Sequence, residues 1–228
     1  MNKHFRSISK TNEQNEKDSD HLLLIDVLRN FQNHPSIRKI KSSFSDNTTL
    51  NITPVPREAL RHIITNLDHK KATGHDMVNA KFLKISVNII LQPLLNILNK
   101  CILQGTFPKS LKKAVVTPVY KKKDPFNKEN YRPISLLTTF SKVFEKAIEL
   151  QLSPFFEKKF SKYLCAYRKH FSSQHALFRL VEDWKSGLEK NKHIGAVLMD
   201  LSKAFDCLPK NLLLAKLHAY GLEQGSLC

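Results

Sequence analysis

An α+β fold is what this sequence predicts, and three observations predict it. Apolar residues recur at helical spacing in segments spread along the chain. Two short β-rich runs, at 114–120 and 194–199, stand between those segments. The 228 residues are 41% hydrophobic, enough for one ordinary core.

The elements follow in order. Residues 1–20 are polar and charged and read as a flexible lead. Leu24, Val27, Leu28 and Phe31 share a helical face that ends at Asn33 and Pro35. The Ser-, Asn- and Pro-rich stretch after it completes a linker with one short helix over 21–53. Leu60, Ile63, Ile64 and Leu67 predict an amphipathic helix over 57–67, followed by a basic turn around Gly74. A longer helical tract spans 81–104, with Pro93 expected to break or kink it and Gly105 placed as its C-terminal cap. A strand over 114–120 runs into Lys121, Lys122 and Lys123. Val143 to Leu152 predicts a helix stopping near Pro154. Leu177, Leu180, Val181, Trp184 and Leu188 predict another after Ser172, each packed on one side. An apolar strand over 194–199 then leads through a turn to a helix over 210–220 closed by Gly221.

Charge narrows the partner class. Thirty-seven Lys and Arg against 20 Asp and Glu leave a formal charge of +17, which suits a phosphate-covered partner better than an acidic protein face. Membranes and acidic proteins also attract basic chains. The four cysteines are scattered, with no Cys-x-x-Cys pair and no His cluster at zinc-finger spacing, so a reduced, intracellular protein is expected. The N-terminal residues lack the apolar core of a signal peptide, and no uncharged stretch is long enough to span a bilayer, so no membrane partner is expected.

The sharpest local feature is Asp200, a carboxylate where the run Gly195-Ala196-Val197-Leu198-Met199 gives out into a loop. Catalytic groups commonly sit at such strand ends, yet Asp is also frequent in turns, and alone it reads first as a turn residue. Its surroundings change that. The run AVLMDLSKAFDCLPKNLLLAKLHAYGL resembles the first catalytic motif of the reverse transcriptases of non-LTR (LINE-like) retrotransposons, and ENYRPISLLTTFSKVFEKAI resembles their fingers motif. KYLCAYRKHFSSQHALFRLVEDW resembles the segment between them, and KKATGHDMVNAKFLK with GTFPKSLKKAVVTPVYKKKDP resemble the approach. Several motifs in order are more specific than any one, and the resemblance covers 54–222, with weaker similarity near His34.

The resemblance implies the fingers and an incomplete palm of a right-hand polymerase over 54–228. It implies an RNA-directed DNA polymerase acting on an RNA template, a DNA primer and deoxynucleoside triphosphates through Mg²⁺. Two ions about 3.5 to 4 Å apart stabilise the attacking and departing oxygens in that chemistry, and they need hard oxygen ligands. Asp200 matches a metal-binding aspartate, and Leu201 would add its backbone carbonyl. Phe205 matches an aromatic that excludes a ribose 2′-OH. Arg132 matches a fingers arginine that grips the triphosphate, with Lys121, Lys122 and Lys123 adding to the field. Arg168 matches a position near the template, while Asp206 is expected to be structural. Between residues 108 and 132 there are eight basic and two acidic residues, although a lysine run is most often a solvated loop.

Departures from the family pattern matter as well. Ala166 to His170 replaces a Gly-Phe-Arg-Lys-Gly run, so a backbone needing positive φ at the last position would carry His170 at a cost. His75 stands where the family commonly has proline. No Asp-Asp pair follows Asp206, so the polypeptide alone is expected not to polymerise. The alternative is a non-catalytic basic nucleic-acid-binding fragment or the product of a degenerate element. The oligomeric state is left open.

Overall fold

The structure is a computed structural model, and it describes residues 20–44, 48–201, 204 and 207–227. The expected flexible lead lies outside them up to residue 19. Among the described residues there are eight α-helices, two short 3-10 turns and one two-stranded antiparallel sheet, an α+β content as expected. They fall into two compact units. One comprises Met1–Leu152 with Phe205–Cys228, and the other Ser153–Ala204.

The first unit is built on α3 (Arg57–Thr65), α4 (Ala80–Ile85) and α5 (Val87–Leu103), with the first part of α6 (Thr139–Glu157). Leu60, Ile64, Leu91, Leu98 and Val143 are fully buried in one cluster with Phe144 and Leu83, so the apolar stripes read from the sequence meet here. Neither Pro93 nor Pro154 ends its helix. The break in the 81–104 tract falls at Ser86, which caps both flanking helices and bonds its hydroxyl to the Phe82 carbonyl at 2.8 Å, while Pro93 sits inside α5. Pro154 likewise lies inside α6, which runs on to Glu157. Each proline removes one backbone bond, and the neighbouring turns carry the helix past it. Gly105 does cap α5: at φ 60° it lets the Thr106 N–H donate to the Cys101 carbonyl at 2.9 Å.

Residues 21–53 are more than a linker. α1 (Asp20–Phe31) is followed by α2 (Pro35–Ser43), which begins with proline in its first turn and is capped by His34. Both pack on α8 (Lys210–Ala219), burying Leu24, Val27, Ile37, Ile40 and Ala215. The stretch after α2 is bound to the residues that follow α8. Leu50 and Leu222 form a parallel bridge, the Thr49 hydroxyl donates to Glu223 at 3.0 Å, and the Ile52 N–H donates to the Ser226 hydroxyl at 2.8 Å. Sequence reading missed this clasp because its partners lie 174 residues apart.

β1 (Ala114–Tyr120) and β2 (Tyr131–Leu137) pair from Ala114 opposite Leu137 to Tyr120 opposite Tyr131. The hairpin is rooted by the turn read around Gly74. A Cβ on Gly74 would lie 2.6 Å from the Thr138 nitrogen, so only glycine fits. Around it, Lys142 donates to the Ala72 carbonyl at 2.7 Å and Thr139 to the Val78 carbonyl at 2.5 Å. His75 occupies the second position of the turn closed by the Met77 N–H and the Gly74 carbonyl, a position that proline suits.

The second unit is barely packed. α7 (Ser173–Glu189) is well capped, with Ser172 and His175 forming a reciprocal capping box, yet it has no buried residue. Leu177 is 61% exposed and Leu188 64%, so the expected one-sided packing is absent among the described residues. The expected strand over 194–199 is also absent. Those residues are exposed, and no described segment pairs with them. A strand of this kind is held by neighbours in a sheet, and β-branched composition alone does not create one.

Candidate nucleotide and metal site

The hairpin brings four of the predicted residues together. Arg132 stands opposite Val119, one pair below the tip, and Lys121, Lys122 and Lys123 open the tip itself. All four are exposed, and none has an acidic partner among the described residues. The tip has internal order. The Lys121 N–H donates to the Asn130 carbonyl at 2.9 Å, and the Asn130 amide donates to the Asp124 carbonyl at 2.7 Å. The Tyr131 hydroxyl donates to the Pro125 carbonyl at 2.9 Å, and the Tyr120 hydroxyl to that of Lys123. Lys123 takes a left-handed backbone, φ 75°, to complete the turn.

The chemistry of that tip follows from charge and geometry. The Asp124 carboxylate accepts the Phe126 N–H at 3.0 Å, and with Glu129 it offsets only part of the positive charge of Lys121, Lys122, Lys123, Lys128 and Arg132. An array of three ammonium groups and one guanidinium on a hairpin attracts polyphosphate, and the guanidinium adds paired hydrogen bonds. Tyr120, Tyr131, Asp124 and Asn130 shape this surface and were missed as site residues. Their signal was a tyrosine at each end of a turn rich in Asp, Pro and Asn.

Arg168 lies in the second unit and its guanidinium is turned inward. It bonds Glu157 at 2.9 Å through Nε and 2.5 Å through one terminal nitrogen, and it reaches the Leu164 carbonyl at 3.1 Å through the other. The Phe171 ring lies 4.2 Å from its central carbon, and the side chain is 11% exposed. Glu157 is a further residue that sequence reading missed, since nothing local ties it to a position eleven residues on. The same loop holds Tyr167 at φ 61° and His170 at φ 65°, so the lost glycine falls where the backbone is left-handed.

Asp200 and Leu201 lie on the exposed extended segment of the second unit, and Leu201 is 78% exposed. Phe205 and Asp206 lie outside the described residues. A two-ion centre needs several oxygen ligands converging on one point. No group of three His, Cys, Asp or Glu among the described residues converges in that way, so the described residues do not fit a metal centre. None of the described helices is long and apolar enough to cross a membrane.

Comparison with known proteins supplies the class that the geometry alone does not. Residues 120–227 match the family described as reverse transcriptase (RNA-dependent DNA polymerase), and that region belongs to it. Its relatives come from mobile elements. The chain is 28% identical over 156 residues to the RNA-directed DNA polymerase from mobile element jockey of Drosophila funebris, covering 67% of this chain and 17% of that protein. It is 28% identical over 161 residues to the Drosophila melanogaster jockey polymerase, covering 69% and 18%. It is 30% identical over 172 residues to the probable RNA-directed DNA polymerase from transposon BS of Drosophila melanogaster, covering 74% and 19%. The chain carries a reverse-transcriptase-like region of the non-LTR retrotransposon kind, and it spans less than a fifth of the length of these curated relatives.

Proposed function

We propose that this chain supplies the fingers and the first catalytic motif of an RNA-directed DNA polymerase of a non-LTR retrotransposon. The observation that carries the reading is the family match over residues 120–227, which includes both the hairpin tip and Asp200. Arg132 grips the triphosphate of an incoming deoxynucleotide, with Lys121, Lys122 and Lys123 drawing it in. Phe205 selects against a ribose 2′-OH. Arg168 acts as a positioning residue, holding the loop from Glu157 to Phe171 beside the template rather than touching it. Asp200, with the Leu201 carbonyl, contributes to a Mg²⁺ site that these residues do not complete. An RNA template and a DNA primer are the macromolecular partners.

One carboxylate does not position two ions, so the purified 228-residue chain is inactive by itself under this reading. Primer extension on a primed RNA template with Mg²⁺ and deoxynucleotides tests it, with no incorporation as the expected result. Metal-dependent incorporation that disappears in Asp200→Ala overturns the inactivity. Photocrosslinking of a deoxynucleoside triphosphate to the chain tests the hairpin separately. Arg132→Ala is expected to lower the yield about tenfold, as loss of a charge-assisted pair does.

A further inference from the structure

Between α1, α2 and α8 lies a cleft of about 260 Å³, built from none of the residues assigned above. Its floor is apolar, with Ile37 at 2% exposure and Ala215 at 4%, and Leu28 and Phe31 line one wall. Arg29, Lys41 and His218 stand around it, and no carboxylate lines it. Asp26 approaches Arg29 at 3.9 Å on the exposed face of α1, while Lys41 and His218 have no acidic partner among the described residues. Partial desolvation, and then the Lys41 charge, hold the exposed His218 imidazole below its ordinary pKa of 6.5. A cleft with cations of one sign on low-dielectric walls focuses its field on an anion.

We propose that this cleft binds a phosphate-bearing ligand of mononucleotide size, its ring against Leu28 and Phe31 and its phosphate between Lys41, His218 and Arg29. The volume lies just below the ~300–1,000 Å³ of drug-sized ligand clefts, which suits a ligand of single-nucleotide size. The apolar wall accounts for a ring, and the Lys41 and Arg29 cations, with the neutral His218 imidazole as a hydrogen-bond donor, account for the phosphate. Such a unit is either a free nucleotide or the phosphorylated end of a polynucleotide, and the two share this chemistry. The inference does not depend on the polymerase reading, because it uses neither the hairpin nor Asp200.

Titration calorimetry of the full chain with AMP, adenosine and inorganic phosphate tests it. AMP is expected to bind saturably and more tightly than phosphate, and adenosine not to bind. Lys41→Ala is expected to weaken AMP about tenfold, with Lys41→Arg retaining it and Lys84→Ala, on another helix, leaving it unchanged. The imidazole resonances of His218 should report a rise in its pKa when AMP is bound. Competition by a 5′-phosphorylated oligoribonucleotide, but not by its unphosphorylated form, assigns the source as a strand end. Competition by neither assigns a free nucleotide. No saturable AMP binding, adenosine binding as tightly as AMP, or undiminished AMP binding by a Lys41→Ala protein that melts cooperatively overturns the proposal.

Discussion

The two units make opposite use of the same kind of residue. In the first, leucines and valines at helical spacing meet one another and disappear from solvent, while in the second a capped helix carries leucine, valine and tryptophan with none of them buried. Capping and propensity shape a helix, and burial of a face is what makes it contribute to a core. Asp200 therefore sits in the part of the chain with the least packing to hold it, and the basic hairpin is rooted in the part with the most.

The sharpest way to break this comparison is a pair of equal truncations. Leu98→Ala should cost about 2–5 kcal/mol in denaturant unfolding, whereas Leu177→Ala should stay within about 0.5 kcal/mol. Equal losses would show that α7 is packed after all. Glycine offers a second contrast, because the first unit has one where the backbone demands it and the second lacks one. Gly74→Ala forces a Cβ onto the Thr138 backbone and should cost about 1–3 kcal/mol, read as a lower melting temperature. His170→Gly relieves a left-handed residue and should gain about 0.5–1 kcal/mol, read as slower proteolysis within Ser153–Ala204.

The smallest effect is expected from pH. His218 has a folded-state pKa below its unfolded value of 6.5, so the unfolded chain binds the extra proton first. Stability should therefore be unaffected above that value and fall slightly as pH drops through it. A melting temperature that declines between pH 7.5 and 5.5, and declines less in His218→Gln, is the expected result.

Much of the helical fold was legible because it depends on local periodicity. The stripe from Leu60 to Leu67, the Gly105 and Gly221 caps and the β1 run all lie where their own residues put them. What failed depended on partners remote in sequence. The run from Ile194 to Met199 has the composition of a strand and lacks a paired neighbour among the described residues, and the clasp near Leu50 has no local signature at all. The candidate site divided in the same way. Lys121 to Lys123 and Arg132 were readable as one basic patch, because a hairpin joins near neighbours. The engagement of Arg168 by Glu157 was invisible, because only the fold brings them together.

The clasp between Thr49 to Ile52 and Leu222 to Ser226 sets a timetable for synthesis. Its early half leaves the ribosome some 174 residues before its late half, a wait of roughly 10 to 35 s at about 5–20 residues per second. Through that interval α1 and α2 have no α8 to pack on. The apolar residues Ile37 and Ile40 are thus left to solvent or to a chaperone until the chain has passed Leu222.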